Sequence, residues 1–516
     1  MKKMSEQRLQ HSLRLVATSS VIVLVGILLS KALTYLYRII IAQHFGAEGW
    51  GLFTLALMVL SLSMMLASLG LPEGVLRYLS FYRGQAQWEK MRHLFHTSTA
   101  LVAVVSIAGS VLLFLLSDEI ALRVFHNERL IPFLHVVALA LPFAVVSNLL
   151  LSVLLAFESV AWNSFLNNFF QNAVKVMALL VLIGVGSGMN AVMLSYGVGI
   201  LALFLASVAV VRVSLRPLFR LSSLKRKRRQ RVMRELFAYS WPIIFLGAVY
   251  TIFGWTDSFV IGYFMEVRDV GIYAAAFTLI SLFGISQEVF KQLFFPLVVK
   301  EFSRKNNELV KQMSQQVGKW IFAINVPLFL LMMLFSENIL GVLFGAEFLV
   351  ASGVLRVLAL GGLVSSLNTL LINLLSMQGK SKIILVNMAS VGVFDLVANI
   401  LLVPKYGLYG AAWSTTFSLA LLAAILFIEV RAYSGIVPVR RAMMRIAWVT
   451  LVSAAAVLAV GEISGAETLL QLALLIALFV VLYSVLIALT GCLDKHDLAT
   501  LRSFWQKVCG GRNGNR

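Results

Sequence analysis

Residues 44–62 read HFGAEGWGLFTLALMVLSL and residues 264–282 read FMEVRDVGIYAAAFTLISL. The two stretches superpose with a shift of 220, which sets Gly51 on Gly271, Phe53 on Tyr273, Ser61 on Ser281 and Leu62 on Leu282. The same shift carries Asn148 onto Asn368, Leu154 onto Leu374 and Asn167 onto Asn387. The chain is therefore internally repeated, and its composition says in which solvent the repeats sit. It is 60% apolar and 13% charged, where soluble chains average about 45–50% and about 25%. The mean hydropathy is +0.91. Apolar runs of about 18 residues or more recur along the chain and read as membrane spans.

The 516 residues predict fourteen spans, the first with its core at 15–42 and the last two at 444–460 and 468–490. Lys31 and Arg38 interrupt the first apolar run, so it is not read as a cleaved signal peptide. Each repeat holds six spans. An even number keeps both copies in one orientation, as parallel repeats about an axis along the membrane normal. The expected fold is an all-α polytopic membrane protein of two six-helix lobes plus two C-terminal helices. The divisions are a lobe at 1–214, a basic linker at 215–236, a second lobe at 237–434, spans 13 and 14 within 435–490, and a tail at 491–516. Cys492 and Cys509 fall in that tail, where a bridge would staple nothing central.

The net charge of +20 could suggest nucleic acid, but it is distributed as topology. With the N-terminus inside, the outer loops carry only Arg123, Arg129, Arg268 and Lys405 as basic residues. Most of the 43 lysines and arginines then face the cytoplasm, as the positive-inside bias requires. The run Lys225-Arg226-Lys227-Arg228-Arg229 reads as an anchor beside anionic lipid, not a nucleic-acid site. Both termini are expected in the cytoplasm, with the protein in the plasma (inner) membrane.

A charge at the bilayer centre costs about 2.5–3.5 kcal/mol, so each demands a reason. Span 1 sets Lys31, Tyr35 and Arg38 on one helical face. Span 5 carries the polar stripe Ser164, Asn168, Gln171, Asn172 and Lys175. These are candidates to line a substrate cavity, with interhelical hydrogen bonding as the plainer alternative. Asp257, Glu288 and Asp395 in the second repeat are candidates for a coupling ion or a gate. Lys291 three residues after Glu288, and Arg77 four after Glu73, offer local ion pairs. The shift of 220 sets Lys175 on Asp395, so two equivalent mid-membrane positions carry opposite charge.

No nucleotide-binding motif is present: Gly379-Lys380-Ser381 has Leu374 where the motif needs glycine. The seven histidines are scattered, and no metal-ligand cluster or cofactor is expected. Short outer loops leave little room for catalytic groups. A carrier is expected, not an enzyme.

The stretch 37–80, YRIIIAQHFGAEGWGLFTLALMVLSLSMMLASLGLPEGVLRYLS, resembles the polysaccharide-unit flippases of the multidrug/oligosaccharidyl-lipid/polysaccharide exporter superfamily. The resemblance rests on Gly46, Gly49-Trp50-Gly51-Leu52-Phe53, Leu69-Gly70-Leu71 and Arg77-Tyr78. It implies two lobes around a central cavity, and flipping of an undecaprenyl-pyrophosphate-linked oligosaccharide to the external leaflet. It also implies basic residues in the bundle that meet the anionic substrate, which Lys31, Arg38 and Lys175 would supply. The implied partners are the lipid-linked glycan, the bilayer, and polymerase or glycosyltransferase machinery. A lipid II flippase, a multidrug and toxin exporter and a non-transporting scaffold stay open as alternatives.

Overall fold

A computed structural model describes residues 2–220, 224, 226–304, 306–438, 440, 442–464 and 469–491. Cys492, Cys509, Lys225 and the tail from 492 lie outside the described residues. In chain order the helices are α1 (Lys2–Ser68), α2 (Leu71–Gly84), α3 (Trp88–Glu119), α4 (Ile131–Ala156), α5 (Val160–Ser164) and α6 (Gln171–Gly184). They continue as α7 (Asn190–Ser214), α8 (Arg226–Phe264), α9 (Val267–Ile280), α10 (Phe283–Ser303), α11 (Asn307–Leu334) and α12 (Ser336–Phe344). The last are α13 (Ser352–Val364), α14 (Asn368–Met377), α15 (Ser381–Tyr406), α16 (Leu408–Ser434), α17 (Ala442–Ser464) and α18 (Leu469–Leu489). Among the described residues ten helical stretches are long and apolar enough to cross a bilayer, or eleven if α9 and the start of α10 form one bent span.

The longest of these, Leu29–Ser68, has 40 residues. At 1.5 Å per residue it would measure about 60 Å, twice a hydrocarbon core of about 30 Å. Gly46 resolves the excess, because its φ of 67° and ψ of −169° break the helix there. A side chain is strained at such a φ and glycine is not, so this residue can turn the chain between two passes. The apolar stretch 50–76 is divided as well: Leu69 and Gly70 have φ of 52° and 60°, and Pro72 follows in the first turn of α2. The helix pair Val267–Ile280 and Phe283–Lys291 is bent by 44° at its break.

The chain divides into two compact units, 1–276 with 382–418, and 277–381 with 419–516. In the second unit, α17 and α18 pack through Ile446, Val449 and Ile487 against Phe322 and Ala323 of α11. The Tyr483 hydroxyl fixes the same place by donating to the Ala323 carbonyl at 2.6 Å. Arg356, which has no carboxylate near it in sequence, finds one across the fold: it bonds Glu337 at 3.0 Å and Ser336 at 2.9 Å on α12.

In the first unit the repeated stretches meet each other. A Cβ on Gly51 would overlap the Val267 carbonyl oxygen, and a Cβ on Gly271 would overlap that of Ala47. Val267 follows Ala47 by the same 220 residues that separate the two glycines. Each repeat thus offers the other the same glycine and the same carbonyl, a reciprocal contact with pseudo-twofold symmetry. Helices in lipid associate by close packing where small residues let backbones approach, because lipid tails supply no hydrophobic drive.

This contact predicts a contrast between glycines. Gly51→Ala or Gly271→Ala should destabilise the protein by about 1–3 kcal/mol, the usual cost of overpacking. Gly254→Ala, with nothing within 4 Å of the added carbon, should stay within about 0.5 kcal/mol. Thermal unfolding of the purified variants in detergent measures this, and equal melting of all three would reject the backbone contact.

Candidate functional site

Two clusters of buried polar groups occupy the first unit. The first is built around Lys175 on α6, which is only 9% exposed. Its ammonium lies 4.7 Å from the centre of the Tyr196 ring on α7, a cation–π contact worth about 2 kcal/mol when desolvated. The half-buried Arg38 of α1 acts electrostatically on both Lys175 and Tyr196. Gly199, one turn after Ser195, leaves the room that the lysine stem fills, since a Cβ there would overlap the Lys175 Cγ. Phe53 packs edge-on between Tyr37 at 5.7 Å and Tyr196 at 5.5 Å. The Tyr37 hydroxyl lies 2.8 Å from both the Val192 carbonyl oxygen and Ser195 Oγ.

The polar stripe leads into this cluster by a path the sequence did not indicate. Residues Phe165–Phe170 form a π-helical segment, whose wider turn shifts the register of the face. Ser164, Asn172 and Lys175 are buried, while Asn168 and Gln171 are half-buried. The Asn172 amide donates to the Asn168 carbonyl at 2.8 Å and to Ser30 Oγ of α1 at 3.0 Å. The Asn168 amide donates to Ser164 Oγ at 3.1 Å. Through Asn172 and Ser30 the stripe makes the interhelical hydrogen bond that was the plainer alternative. On α1, Tyr35 is half-buried and Lys31 is exposed, two turns before Arg38.

The second cluster is acidic. Asp257 of α8 accepts from the Tyr273 hydroxyl of α9 at 2.5 Å, from Thr415 Oγ1 of α16 at 2.6 Å and from the Asn399 amide of α15 at 2.9 Å. Asp395, one turn before Asn399 and 2% exposed, accepts from Ser418 Oγ at 2.8 Å. The two carboxylates lie close enough to act on each other electrostatically. Among the described residues Asn399 Oδ1 is a buried acceptor with no hydrogen-bond partner. Glu288 stands on α10 in the second unit and is half-buried. Among the described residues no group of three or more His, Cys, Asp or Glu gathers at a metal-binding distance.

The two clusters are related by the repeat. The shift of 220 takes Tyr37 to Asp257, Phe53 to Tyr273, Lys175 to Asp395 and Ser195 to Thr415. The hydrogen bond from position 37 to 195 in the first cluster recurs as the bond from 257 to 415 in the second. One scaffold therefore holds an aromatic–cationic site and an acidic one at equivalent places. Sequence reasoning found Lys175 and Asp395 but missed Tyr37, Tyr196, Thr415 and Ser418. The pairing of Phe53 with Tyr273 was the signal that could have led to them. Among the described residues no ion pair joins Lys175 to Asp395. The expected Glu73–Arg77 pair is not formed either: the Arg77 guanidinium lies over the Tyr239 ring at 4.1 Å, an aromatic partner that only packing could bring.

The unequal hydrogen bonding has a measurable consequence. Thr415→Val keeps the shape but removes a donor from a buried carboxylate, and should cost about 1–3 kcal/mol of stability. Ser195→Ala leaves Tyr37 its bond to Val192 and should cost less than about 1 kcal/mol. Thermal unfolding compares them, and equal losses would reject the dependence of Asp257 on Thr415.

The comparisons with known proteins agree with this architecture. Residues 242–401 match the MatE family. The chain is 25% identical to the probable low-salt glycan biosynthesis flippase Agl15 of Haloferax volcanii over 253 residues, 48% of this chain and 51% of that protein. The matched part thus spans about half of that relative's length. It is 23% identical to a putative O-antigen transporter of Shigella flexneri over 397 residues, 75% of this chain and 90% of the relative. In fold it resembles the lipid II flippase MurJ in an inward closed conformation, with a TM-score of 0.71 and 13% identity over 91% of this chain and 99% of that one. The match to the polysaccharide biosynthesis protein family spans residues 16–300, more than half of the chain and the whole of the resembling stretch 37–80, so this protein is a multi-pass membrane member of that family.

Proposed function

We propose that this protein is a flippase that moves an undecaprenyl-pyrophosphate-linked oligosaccharide from the cytoplasmic to the external leaflet by alternating access. The observation that carries this reading is the buried Lys175 over the Tyr196 ring with the half-buried Arg38 acting on both, and an acidic counterpart at the repeat-equivalent position. A transported diphosphate needs cations inside the bundle, and a buried ammonium is costly unless something offsets its desolvation. Lys31, Tyr35, Asn168, Gln171 and Asn172 extend this lining toward the substrate's sugars. Asp257 and Asp395 offer oxygens to a proton or a small monovalent cation that drives the cycle, and Glu288 acts at a gate. The relatives described as a glycan flippase and an O-antigen transporter support the substrate class. The chain hydrolyses no ATP and performs no chemistry on the glycan.

In this reading six spans form a lobe at 1–214 and six a lobe at 237–434, joined by the cytoplasmic linker 215–236; spans 13 and 14 follow within 435–490, and both termini face the cytoplasm from the inner membrane. Removing Cys492 and Cys509 and introducing Arg123→Cys or Glu347→Cys should permit labelling from outside by an impermeant maleimide. Lys227→Cys should stay unlabelled in intact cells. The opposite pattern would reject the orientation.

Deleting the gene should leave lipid-linked repeat units in the cytoplasmic leaflet. Accumulation of lipid II instead would identify a peptidoglycan flippase. Lys175→Gln should lower export about tenfold or more at normal expression, the loss expected when one charged contact is removed. Lys175→Arg should retain more. Because the two clusters have distinct tasks, combining Lys175→Asp with Asp395→Lys should not restore export. Recovery in the double variant would show that the residues act as a pair, and normal export in Lys175→Gln would remove the substrate role.

A further inference from the structure

A recess in the first unit shares no lining residue with either cluster. It has a volume of about 1040 Å³ and lies where the turn between α2 and α3 meets the start of α8. This volume is at the upper end of small-molecule sites, which run about 300–1,000 Å³. Tyr78, Phe81 and Trp88 line it with aromatic rings, and Lys90, Arg228 and Arg231 with cations. Phe81 is 55% exposed and Trp88 41%, so ring faces remain available to a ligand.

Two carboxylates, Glu89 and Glu235, share the lining and help brace the walls. Arg92 ties α3 to the segment before α8 by donating to the Pro217 carbonyl at 2.9 Å. Glu235 joins α8 to α2, accepting from the Tyr82 hydroxyl at 3.1 Å and from Arg231 at 3.0 Å. Burial raises the Tyr82 hydroxyl above its ordinary pKa, with the Glu235 carboxylate adding to the shift, so Tyr82 stays a neutral donor. The carboxylates are thus engaged: Glu89 holds Arg92 at 2.8 Å, and Glu235 takes its two donors. Arg231 keeps an 83% exposed side chain despite that bond, and the exposed Arg228 also lines the recess. Gln87 Oε1 is a buried acceptor there with no hydrogen-bond partner among the described residues.

Surplus guanidinium charge recognises phosphoryl oxygens through charge-assisted hydrogen bonds. Ring faces suit the apolar faces of sugars, and an unmet amide oxygen suits a hydroxyl donor. Trp88 also opens a membrane-crossing stretch, Trp88–Val124, and tryptophan at a span end belongs at the level of lipid headgroups. We infer that this recess is a docking site for the diphosphate–sugar headgroup of a lipid-linked glycan, occupied before the headgroup reaches Lys175. The inference rests on the flippase reading for the identity of the lipid.

The test uses the full chain with Cys492→Ser, Cys509→Ser and Gln85→Cys, in phosphatidylcholine nanodiscs. Gln85 is exposed and lines the recess, so its maleimide alkylation rate reports occupancy. A polyprenyl-diphosphate-linked N-acetylglucosamine should slow alkylation, and discs containing phosphatidylglycerol without that probe should not. Replacing Arg228 and Arg231 by Gln should weaken the probe's apparent affinity about tenfold or more. Arg→Lys at both positions should keep part of the protection, which separates lost charge from lost folding. Trp88→Leu should weaken the saccharide probe but not protection by inorganic diphosphate. An alkylation rate unchanged by the glycan lipid, or equal protection by phosphatidylglycerol alone, would overturn the assignment. Export in a deletion strain separates the two readings: complementation without protection rejects the recess alone, and protection without complementation rejects the transport reading alone.

Discussion

Two carbonyl oxygens, those of Ala47 and Val267, stand where side chains on Gly271 and Gly51 would be. That exclusion brings equivalent helical segments of the two repeats into backbone contact and fixes their register. Each glycine is followed two positions later by an aromatic ring, Phe53 in one case and Tyr273 in the other. Each ring enters the buried polar cluster of its own repeat. A rigid helix transmits position over two residues with little freedom, so the glycine contact and the placement of both clusters are one constraint.

The clusters show how a duplicated scaffold diverges without changing its frame. The bond between positions 37 and 195 is kept as the bond between 257 and 415, while the groups that carry charge are inverted. The first cluster stabilises its cation through the face of Tyr196, with Gly199 giving the stem its space. The second holds its carboxyl groups through hydroxyl and amide donors. Asp257 receives three such donors and Asp395 one. The acidic cluster is accordingly richer in acceptors than in donors, an imbalance that Asn399 Oδ1 increases.

The second unit places its polar residues differently. Asn325, completely buried, accepts from Ser286 Oγ at 3.0 Å and donates to the Phe283 carbonyl at 3.4 Å. Arg356 reaches across to Glu337 and Ser336. These bonds join neighbouring helices and satisfy groups that lipid would leave bare. They account for polar positions in α10, α11 and α13 by packing, whereas the paired clusters of the first unit concentrate charge at places related by the repeat.

Solvent, helical class, the repeat and its shift were all legible in the residues alone. Those properties are local or additive: hydropathy sums along a run, charge bias accumulates loop by loop, and a shift of 220 is visible in residue identities alone. The sequence also marked Lys175 and Asp395, because an ionisable residue in an apolar run stands out without knowledge of its neighbours. What it could not supply was the company each keeps. Tyr37 meets Ser195 over 158 positions, Asp257 meets Thr415 over 158 and Asn399 over 142, and Arg77 leaves Glu73 for Tyr239. Contacts at such separations depend on which helix faces abut and at what height, which only packing decides. The π-helical turn at Phe165–Phe170 is of the same kind. Its wider register follows no local residue preference, yet it changes which members of the polar stripe are buried beside Lys175.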